Sequence, residues 1–336
     1  MNAHLANNFT PLRLTLALLV VLGHFQLLDG VASPPFPFNY ASFAVDGFFV
    51  VSGYLVTSSF DRDPDLMRFY VRRLFRIYPL YLLVVLAQTA LLGALSPAPE
   101  PLSLLRYFAV NAVFANFLQY DIAAPVLTGL HTPGLNPSLW TLKIEIGFYL
   151  LLPFLWMAVR RFGAGVLVAV FAASVAYMAV LRAGGQFELA KQLPGQLQFF
   201  VLGIAAFRYR DRVRVGPRAA LAAAIVLAAA ATLLLPTHPP VLYPLVVGAL
   251  MMLVALRVPP MAFQTDVSFG VYLLHAPLIQ VALLFGVYRG DLVGLGVLLA
   301  VVIVLALMAE RLVELPGIRI GRHLTRRKPQ VTRAAG

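Results

Sequence analysis

The 336-residue chain has no cysteine and few acidic residues. The absence of thiols excludes disulfide bonds, cysteine nucleophiles and cysteine-ligated metal sites. Only 14 aspartates and glutamates accompany 26 lysines and arginines, and charged residues of either sign form 12% of the chain. Soluble domains contain about 25% charged residues, so this composition argues against a soluble protein.

The chain is instead rich in long apolar runs. Hydrophobic residues make up 60% of it, and runs long enough to cross a bilayer recur from end to end, which predicts an all-α polytopic membrane protein. The first run lacks a basic segment ahead of it and a small-residue cleavage site after it, so we expect it to be retained. The positive charge lies in short loops and the C-terminal tail, which favours a bilayer over a nucleic acid as partner.

Ten membrane spans and one shorter helix are predicted. The ten spans are Pro11–Leu28, Ala41–Phe60, Leu74–Leu95, Leu139–Val159, Ala164–Leu181, Leu193–Phe207, Ala219–Leu235, Val241–Leu256, Val267–Tyr288 and Leu292–Val313. If Leu104–Gln119 does not cross, most arginines and both termini face the cytoplasm, as the positive-inside rule requires. We therefore expect Leu104–Gln119 to be a re-entrant or interfacial helix on the outer side. Residues 1–318 form one membrane domain, followed by a basic cytoplasmic tail, 319–336, that is disordered or lies on the anionic leaflet.

The first span carries two ionisable residues, Arg13 and His24. At a rise of 1.5 Å per residue they lie about 16 Å apart along the axis and on nearly the same face. Ionisable groups inside a membrane are costly and therefore indicate function. Neutral imidazole is the usual general base near pH 7, so His24 is the first candidate for chemistry. The alternative is a neutral histidine bonded to a backbone carbonyl.

Two polar positions follow in the second span. Asp46 lies near its outer end, at a depth similar to that of His24. An aspartate beside a histidine fixes its tautomer and stabilises the imidazolium, whereas an interfacial aspartate would simply reach water. Ser52 and Gly53 lie deeper, and small residues there indicate either close helix packing or the lining of a channel.

The third and fourth spans add arginines and a glutamate. Arg73 and Arg76, three residues apart, share a face at the predicted cytoplasmic mouth. Paired guanidiniums bind phosphate, although such arginines also anchor topology or contact lipid headgroups. Glu145 and Tyr149 share a face of the fourth span, below the interfacial Trp140. A glutamate at that depth requires a partner such as arginine or histidine on another span.

The late spans hold two further candidates. His275 lies beside Pro277, which predicts a kink in the ninth span. Structural hydrogen bonding at the kink and a chemical role are equally compatible with that position. Glu314 ends the last span on the inner side, where we interpret it as a structural partner of an inner arginine.

Six motifs occur in order along nearly the whole chain. They are Arg13 with ten residues before His24, Asp46-Gly47-Phe48-Phe49 running into Ser52-Gly53-Tyr54-Leu55, Arg73-x-x-Arg76-Ile77-Tyr78-Pro79, Leu139-Trp140-Thr141-Leu142 leading to Glu145, Tyr272-Leu273-Leu274-His275-Ala276-Pro277, and Glu314-x-Pro316. Together they resemble acyltransferase family 3, the multi-span O-acyltransferases of bacterial cell envelopes. Each motif alone is weak, and the ordered set is specific. Thr141 stands where the family often has serine, and Leu315 where a basic residue is common.

The resemblance implies transfer of an acyl group, most often acetyl from acetyl-CoA, to a hydroxyl of a surface glycan or another envelope or secondary-metabolite acceptor. It implies acyl-CoA as donor substrate, with no permanently bound cofactor and no metal, and a place in the cytoplasmic (inner) membrane of a bacterium. A proton-coupled transporter would use the same buried arginine, histidine and glutamate residues, but its substrate flux would not depend on CoA.

The resemblance also suggests roles for the candidate residues. His24 would act as general base or acyl carrier, and Asp46 or Glu145 would orient it or balance its charge. The residues expected to hold the CoA phosphates are Arg13, Arg73 and Arg76. Those expected to line the channel and the acceptor mouth are Ser52, Trp140 and Tyr149.

Overall fold

The computed structural model describes residues 7–32, 34–119, 121–122, 126–212, 214–261 and 265–326. All regular structure in these ranges is helical, which confirms the predicted class. The helices are α1 (Phe9–Leu27), α2 (Ala41–Arg62), α3 (Leu66–Leu95), α4 (Pro101–Ala112), α5 (Trp140–Phe162), α6 (Gly165–Ala183), α7 (Phe187–Ala190), α8 (Leu193–Tyr209), α9 (Pro217–Leu234), α10 (Leu242–Leu256), α11 (Ser268–Leu284), α12 (Leu292–Ala309) and α13 (Leu315–Leu324). A 3₁₀ turn, Pro137–Leu139, precedes α5, and a π-helical stretch, Glu310–Glu314, joins α12 to α13.

Local sequence signals explain several helix starts. The side chains of Asp65 and Asp291 accept hydrogen bonds from the backbone N–H groups of Arg68 (2.8 Å) and Gly294 (2.7 Å), which caps α3 and α12. Helix α9 begins at Pro217, where a missing backbone N–H costs nothing because that group has no intrahelical partner.

Helix lengths support a multi-pass membrane protein but not the full count of ten spans. Seven helical segments of the described chain are long and apolar enough to cross a bilayer. Three other predicted spans coincide with α8, α10 and α11, which have 17, 15 and 17 residues. At 1.5 Å per residue these helices extend for roughly 22–26 Å. The hydrocarbon core is about 30 Å thick, so length alone does not establish that they cross.

The bundle is organised around α2, the most buried of the seven candidate spans. It crosses α8 at two glycines. A Cβ atom on Gly53 would lie 2.1 Å from the carbonyl oxygen of Phe200, and one on Gly203 would lie 2.1 Å from that of Val50. Only glycine permits such backbone contact between membrane helices. The close-packing interpretation of Gly53 is therefore confirmed.

The predicted helix Leu104–Gln119 was wrong in its bounds. Helix α4 begins at Pro101 and ends at Ala112, and a short 3₁₀ turn, Asn116–Leu118, follows Phe114, whose φ is +62°. The helix packs against α3, where the Tyr81 hydroxyl donates a hydrogen bond to the carbonyl of Asn111 at 2.5 Å. Twelve residues extend for only about 18 Å, which is too short for a crossing.

The proposed disordered tail was also wrong in its first part. Helix α13 runs through the predicted boundary at residue 318 and continues to Leu324. Its Gly317 and Gly321 pack directly on Phe75 of α3. Because this segment is rich in basic residues, its sequence predicted an unpacked tail and not a helix that packs on α3. The remainder of the predicted tail, residues 327–336, lies outside the described residues.

We expect Gly203→Ala to destabilise the protein. The added Cβ would force α2 and α8 apart, and overpacking of this kind costs about 1–3 kcal/mol. The measurement is the thermal midpoint in detergent. The matched control is Gly296→Ala in α12, where a Cβ meets no heavy atom within 4 Å. Equal midpoints for the two variants would contradict the packing argument.

Candidate functional site

A cavity of about 760 Å³ enters the bundle between α1, α2, α3, α5, α11 and α13. Its ionisable lining residues include six arginines against two carboxylates, so the cavity is strongly positive. The arginines are Arg13, Arg62, Arg72, Arg73, Arg76 and Arg322; the carboxylates are Glu145 and Asp266. We call the end formed by these six arginines the arginine-rich end.

Asp266 ties three helices together at the arginine-rich end. Its carboxylate forms an ion pair with Arg13 of α1 and another with Arg76 of α3 at 3.5 Å, and it accepts a hydrogen bond from the Ser268 hydroxyl of α11 at 2.6 Å. Burial alone would raise the pKa of Asp266, but the guanidiniums of Arg13 and Arg76 outweigh burial and hold the pKa below its ordinary value. The carboxylate is therefore anionic near neutral pH. Asp266 lies in the loop before α11 and belongs to none of the sequence motifs, so no sequence pattern identified it.

The remaining cavity arginines divide by their partners. Arg72 is occupied, because it pairs with Asp63 at 3.0 Å and donates to the Thr325 hydroxyl at 2.8 Å. Arg73 has no acidic partner among the described residues, and its guanidinium lies 5.5 Å from the ring centroid of Tyr149. Arg73 therefore presents an uncompensated positive charge to the cavity.

Deeper in the cavity, Glu145 joins α5 to α2. Its carboxylate accepts hydrogen bonds from the Tyr149 hydroxyl at 2.5 Å and the Ser52 hydroxyl at 3.1 Å. The predicted shared face of Glu145 and Tyr149 is present, and Ser52 lies beside them in the cavity lining. The predicted partner of Glu145 was an arginine or histidine on another helix. The hydroxyls of Ser52 and Tyr149 take that place.

His24 lies beyond the cavity and is paired with His275. Its Nδ1 atom is 3.1 Å from the carbonyl oxygen of Val20 and 3.2 Å from Nε2 of His275. Nδ1 of His275 faces the carbonyl oxygen of Val271 at 3.2 Å, and its Nε2 also lies 3.3 Å from the Ser138 hydroxyl. His275 is fully buried, and His24 is half-buried.

These contacts define the tautomers of both neutral rings. A carbonyl oxygen can only accept, so Nδ1 of each ring carries the proton. The single Nδ1–H of His24 is then shared between the carbonyl oxygen of Val20 and Nε2 of His275. Nε2 of His24 keeps its lone pair, and among the described residues no hydrogen bond reaches that atom. It has the form that a general base or a nucleophile requires.

One layer of side chains separates the cavity from the histidine pair. Tyr272 lines the cavity one helical turn before His275, and the two ring centroids are 5.9 Å apart. The Tyr272 hydroxyl lies 2.7 Å from the hydroxyl of Thr141, another lining residue, and 3.4 Å from the carbonyl oxygen of Ser138. Ser138 thus contacts both the cavity wall and His275.

The structure places Asp46 away from His24. Its carboxylate accepts a hydrogen bond from the Tyr243 hydroxyl of α10 at 3.0 Å, and no hydrogen bond of the described chain joins Asp46 or Glu145 to His24. Direct orientation of the imidazole by either carboxylate is not observed, because Asp46 bonds to α10 and Glu145 bonds to Ser52 and Tyr149. Trp140 packs at the edge of the core and does not line the cavity.

The predicted ion pair between Glu314 and an inner arginine is absent from the described residues. Glu314 is buried in the π-helical stretch, and its Oε1 has no hydrogen-bond partner among the described residues. No group of three metal-ligating side chains is present in the described part of the chain.

Comparison with known proteins covers most of the chain. The family model described as an acyltransferase domain matches residues 9–311. Nodulation protein 10 of Rhizobium leguminosarum bv. viciae is 34% identical over 183 residues, 50% of this chain and 49% of that protein. The O-acetyl transferase of Shigella phage Sf6 is 29% identical over 169 residues, 44% of this chain and 45% of that protein. The matches thus span about half the length of these two relatives.

A third relative matches over a longer stretch. A protein of Komagataeibacter xylinus, named as a membrane-bound transacylase, is 29% identical over an alignment of 349 positions. The alignment covers 95% of this chain and 83% of that protein. No solved structure gives a significant match to the chain.

We expect Asp266→Asn to lower the thermal midpoint at pH 7, because it leaves Arg13 and Arg76 without their counter-charge. The lowered pKa of Asp266 means that its contribution is present above the unfolded-state pKa and is lost as pH falls through the folded-state pKa. The difference between wild type and variant should therefore shrink below about pH 4. Asp211→Asn is the control, because that side chain is 88% exposed. A pH-independent difference would contradict the ion-pair interpretation.

Proposed function

Because this chain belongs to acyltransferase family 3, we propose that it is an O-acyltransferase, and that it moves an acyl group, most simply acetyl, from acyl-CoA to a hydroxyl of a surface glycan or other envelope or secondary-metabolite acceptor. One observation carries the proposal. A positive cavity leads from the arginine-rich end to Glu145 and Tyr272, and one layer of side chains separates it from the paired imidazoles of His24 and His275.

The donor enters at the arginine-rich end. Its diphosphate binds Arg73, whose charge is uncompensated, and the donors that Arg13 and Arg76 retain beside Asp266. A guanidinium carries five N–H donors, so one carboxylate does not exhaust two of them. The thioester arm extends towards Ser52 and Glu145. This arrangement requires the arginine-rich end to face the cytoplasm, which agrees with the positive-inside rule. The protein would then lie in the inner membrane of a bacterium.

His24 acts as the general base. Its Nε2 removes the proton from the acceptor hydroxyl, and the acceptor oxygen attacks the thioester carbonyl carbon. The C–S bond then breaks, and the thiolate takes the proton from His24. An acyl-imidazole route would use the same lone pair on Nε2. Because Thr141 and Tyr272 separate the cavity from His24, the Tyr272 side chain must move for donor and base to meet.

His275 takes the positioning role that sequence reasoning gave to Asp46. Its Nε2 accepts from the Nδ1–H of His24, which keeps the proton off Nε2 of His24. When His24 takes up a proton, the same acceptor stabilises the imidazolium. A neutral imidazole does this inside an apolar bundle without adding a second buried charge, which would be costly there.

His24→Ala should lower transfer of radiolabelled acetyl from acetyl-CoA to envelope glycans by at least about a hundredfold, the usual contribution of a general base. Arg73→Gln should raise KM for acetyl-CoA with less effect on kcat. Membranes containing equal amounts of each variant are compared. His323→Ala, at an exposed histidine outside the cavity lining, is the control. Full transfer by His24→Ala would show that His24 is not the general base. A radiolabel trapped on His24 of the wild type would favour the acyl-imidazole route.

His275→Asn and His275→Gln should differ. The asparagine amide can still donate to the carbonyl of Val271 but does not reach the position of Nε2, whereas the glutamine amide oxygen does reach it and can accept from His24. We expect kcat to fall at least about tenfold for asparagine and to be largely retained for glutamine, with KM for acetyl-CoA unchanged in both. Equal losses in the two variants would indicate a purely structural role.

A further inference from the structure

Helix α13, which the sequence assigned in part to a disordered tail, is fixed against α3. A Cβ atom on Gly317 would lie 2.7 Å from the carbonyl oxygen of Phe75, and one on Gly321 would lie 2.8 Å from Cβ of Phe75. The two glycines are four residues apart and so form one face of the helix. The backbones of α13 and α3 are therefore in direct contact.

A chain of polar contacts holds the end of α13. Arg72 of α3 donates from Nε to the Thr325 hydroxyl at 2.8 Å, and its Nη1 lies 3.0 Å from the carboxylate of Asp63. The Thr325 hydroxyl donates in turn to the carbonyl of Gly321 at 2.8 Å. Arg72 thereby positions α13 through its Nε and Nη1 atoms.

The neighbouring face of α13 forms part of the cavity wall. Ile318 and Arg322, also four residues apart, both line the cavity. The Arg322 side chain is exposed, and no acidic side chain of the described chain pairs with it. Arg62, at the end of α2, lines the same cavity and is likewise exposed and without an acidic partner in the described ranges.

The uncompensated guanidiniums therefore occupy two depths. Arg73 is half-buried, and its guanidinium lies near the ring of Tyr149. The Tyr149 hydroxyl donates a hydrogen bond to Glu145, which lies deeper in the cavity. Arg62, at the end of α2, and Arg322, on α13, are both exposed where they line the cavity, and α13 is held there by its packing on α3. Coenzyme A likewise carries phosphate at two places, a diphosphate next to the pantetheine arm and a 3′-phosphate on the adenosine.

We propose that α13 is a wall of the donor site and that Arg322 and Arg62 bind the 3′-phosphate at the nucleotide end of acyl-CoA. The inference rests on the proposed acyl-CoA donor. Guanidiniums bind phosphate through paired N–H donors, and a mouth with two free guanidiniums selects a donor that bears a nucleotide over a shorter phosphopantetheine thioester. An anionic lipid headgroup offers the same phosphate chemistry, so the test separates the two sources.

The experiment compares two donors, acetyl-CoA and acetyl-phosphopantetheine, in acetyl transfer to added envelope glycans by the full chain in phosphatidylcholine nanodiscs. We expect Arg322→Gln and Arg62→Gln to raise KM for acetyl-CoA by about tenfold each, with kcat unchanged and KM for acetyl-phosphopantetheine unchanged. Arg319→Gln is the matched control, because Arg319 is an exposed arginine of α13 outside the cavity lining. Its KM should equal that of wild type with both donors. Thermal midpoints verify that the variants fold.

Three results would overturn the inference. Equal changes of KM for both donors would show that Arg322 and Arg62 do not contact the nucleotide. An effect that appears only when phosphatidylglycerol is added to the nanodiscs would identify a lipid headgroup as their ligand. Wild-type protein that transfers acetyl from neither donor would instead remove the proposed acyl-CoA chemistry, and this inference with it.

Discussion

The bridge from Asp266 to Arg13 and Arg76 is the constraint on which the rest of the site depends. Several arginines converge at one end of an apolar bundle, where uncompensated charge is costly. The Asp266 carboxylate joins α1, α3 and α11 there, and it partly neutralises the charges of Arg13 and Arg76. Its presence lets these helices approach closely enough to enclose a cavity.

The same pairing separates structural arginines from available ones. Arg72 holds Asp63 and Thr325, whereas Arg73, Arg62 and Arg322 have no acidic partner among the described residues. Identical side chains thus differ in function because of the few carboxylates near them. In a chain with 14 acidic residues and 26 basic ones, the positions of the acids decide which cations remain free for an anionic ligand.

The polar end of the cavity and the histidine pair are joined through neutral groups. Tyr272 and His275 are one turn apart on α11, and Ser138 contacts both. Glu145 meets hydroxyls rather than an imidazole, so its charge is not applied to His24. The pair of neutral imidazoles leaves one nitrogen of His24 free, and no buried carboxylate is needed to fix the tautomer.

The sequence by itself determined the all-α class, the positions of most helices, the shared face of Glu145 and Tyr149, and the close approach at Gly53. These features follow from hydropathy, from the 3.6-residue period and from residue size, which act within one helix. Only the tertiary structure decided that His24 meets His275 rather than Asp46, that Asp266 joins Arg13 to Arg76, and that α13 packs on α3. Those contacts join residues up to about 250 positions apart. They depend on which helix faces approach one another, and that is set by glycine crossings and charge pairing between helices, which no pattern within a single helix encodes.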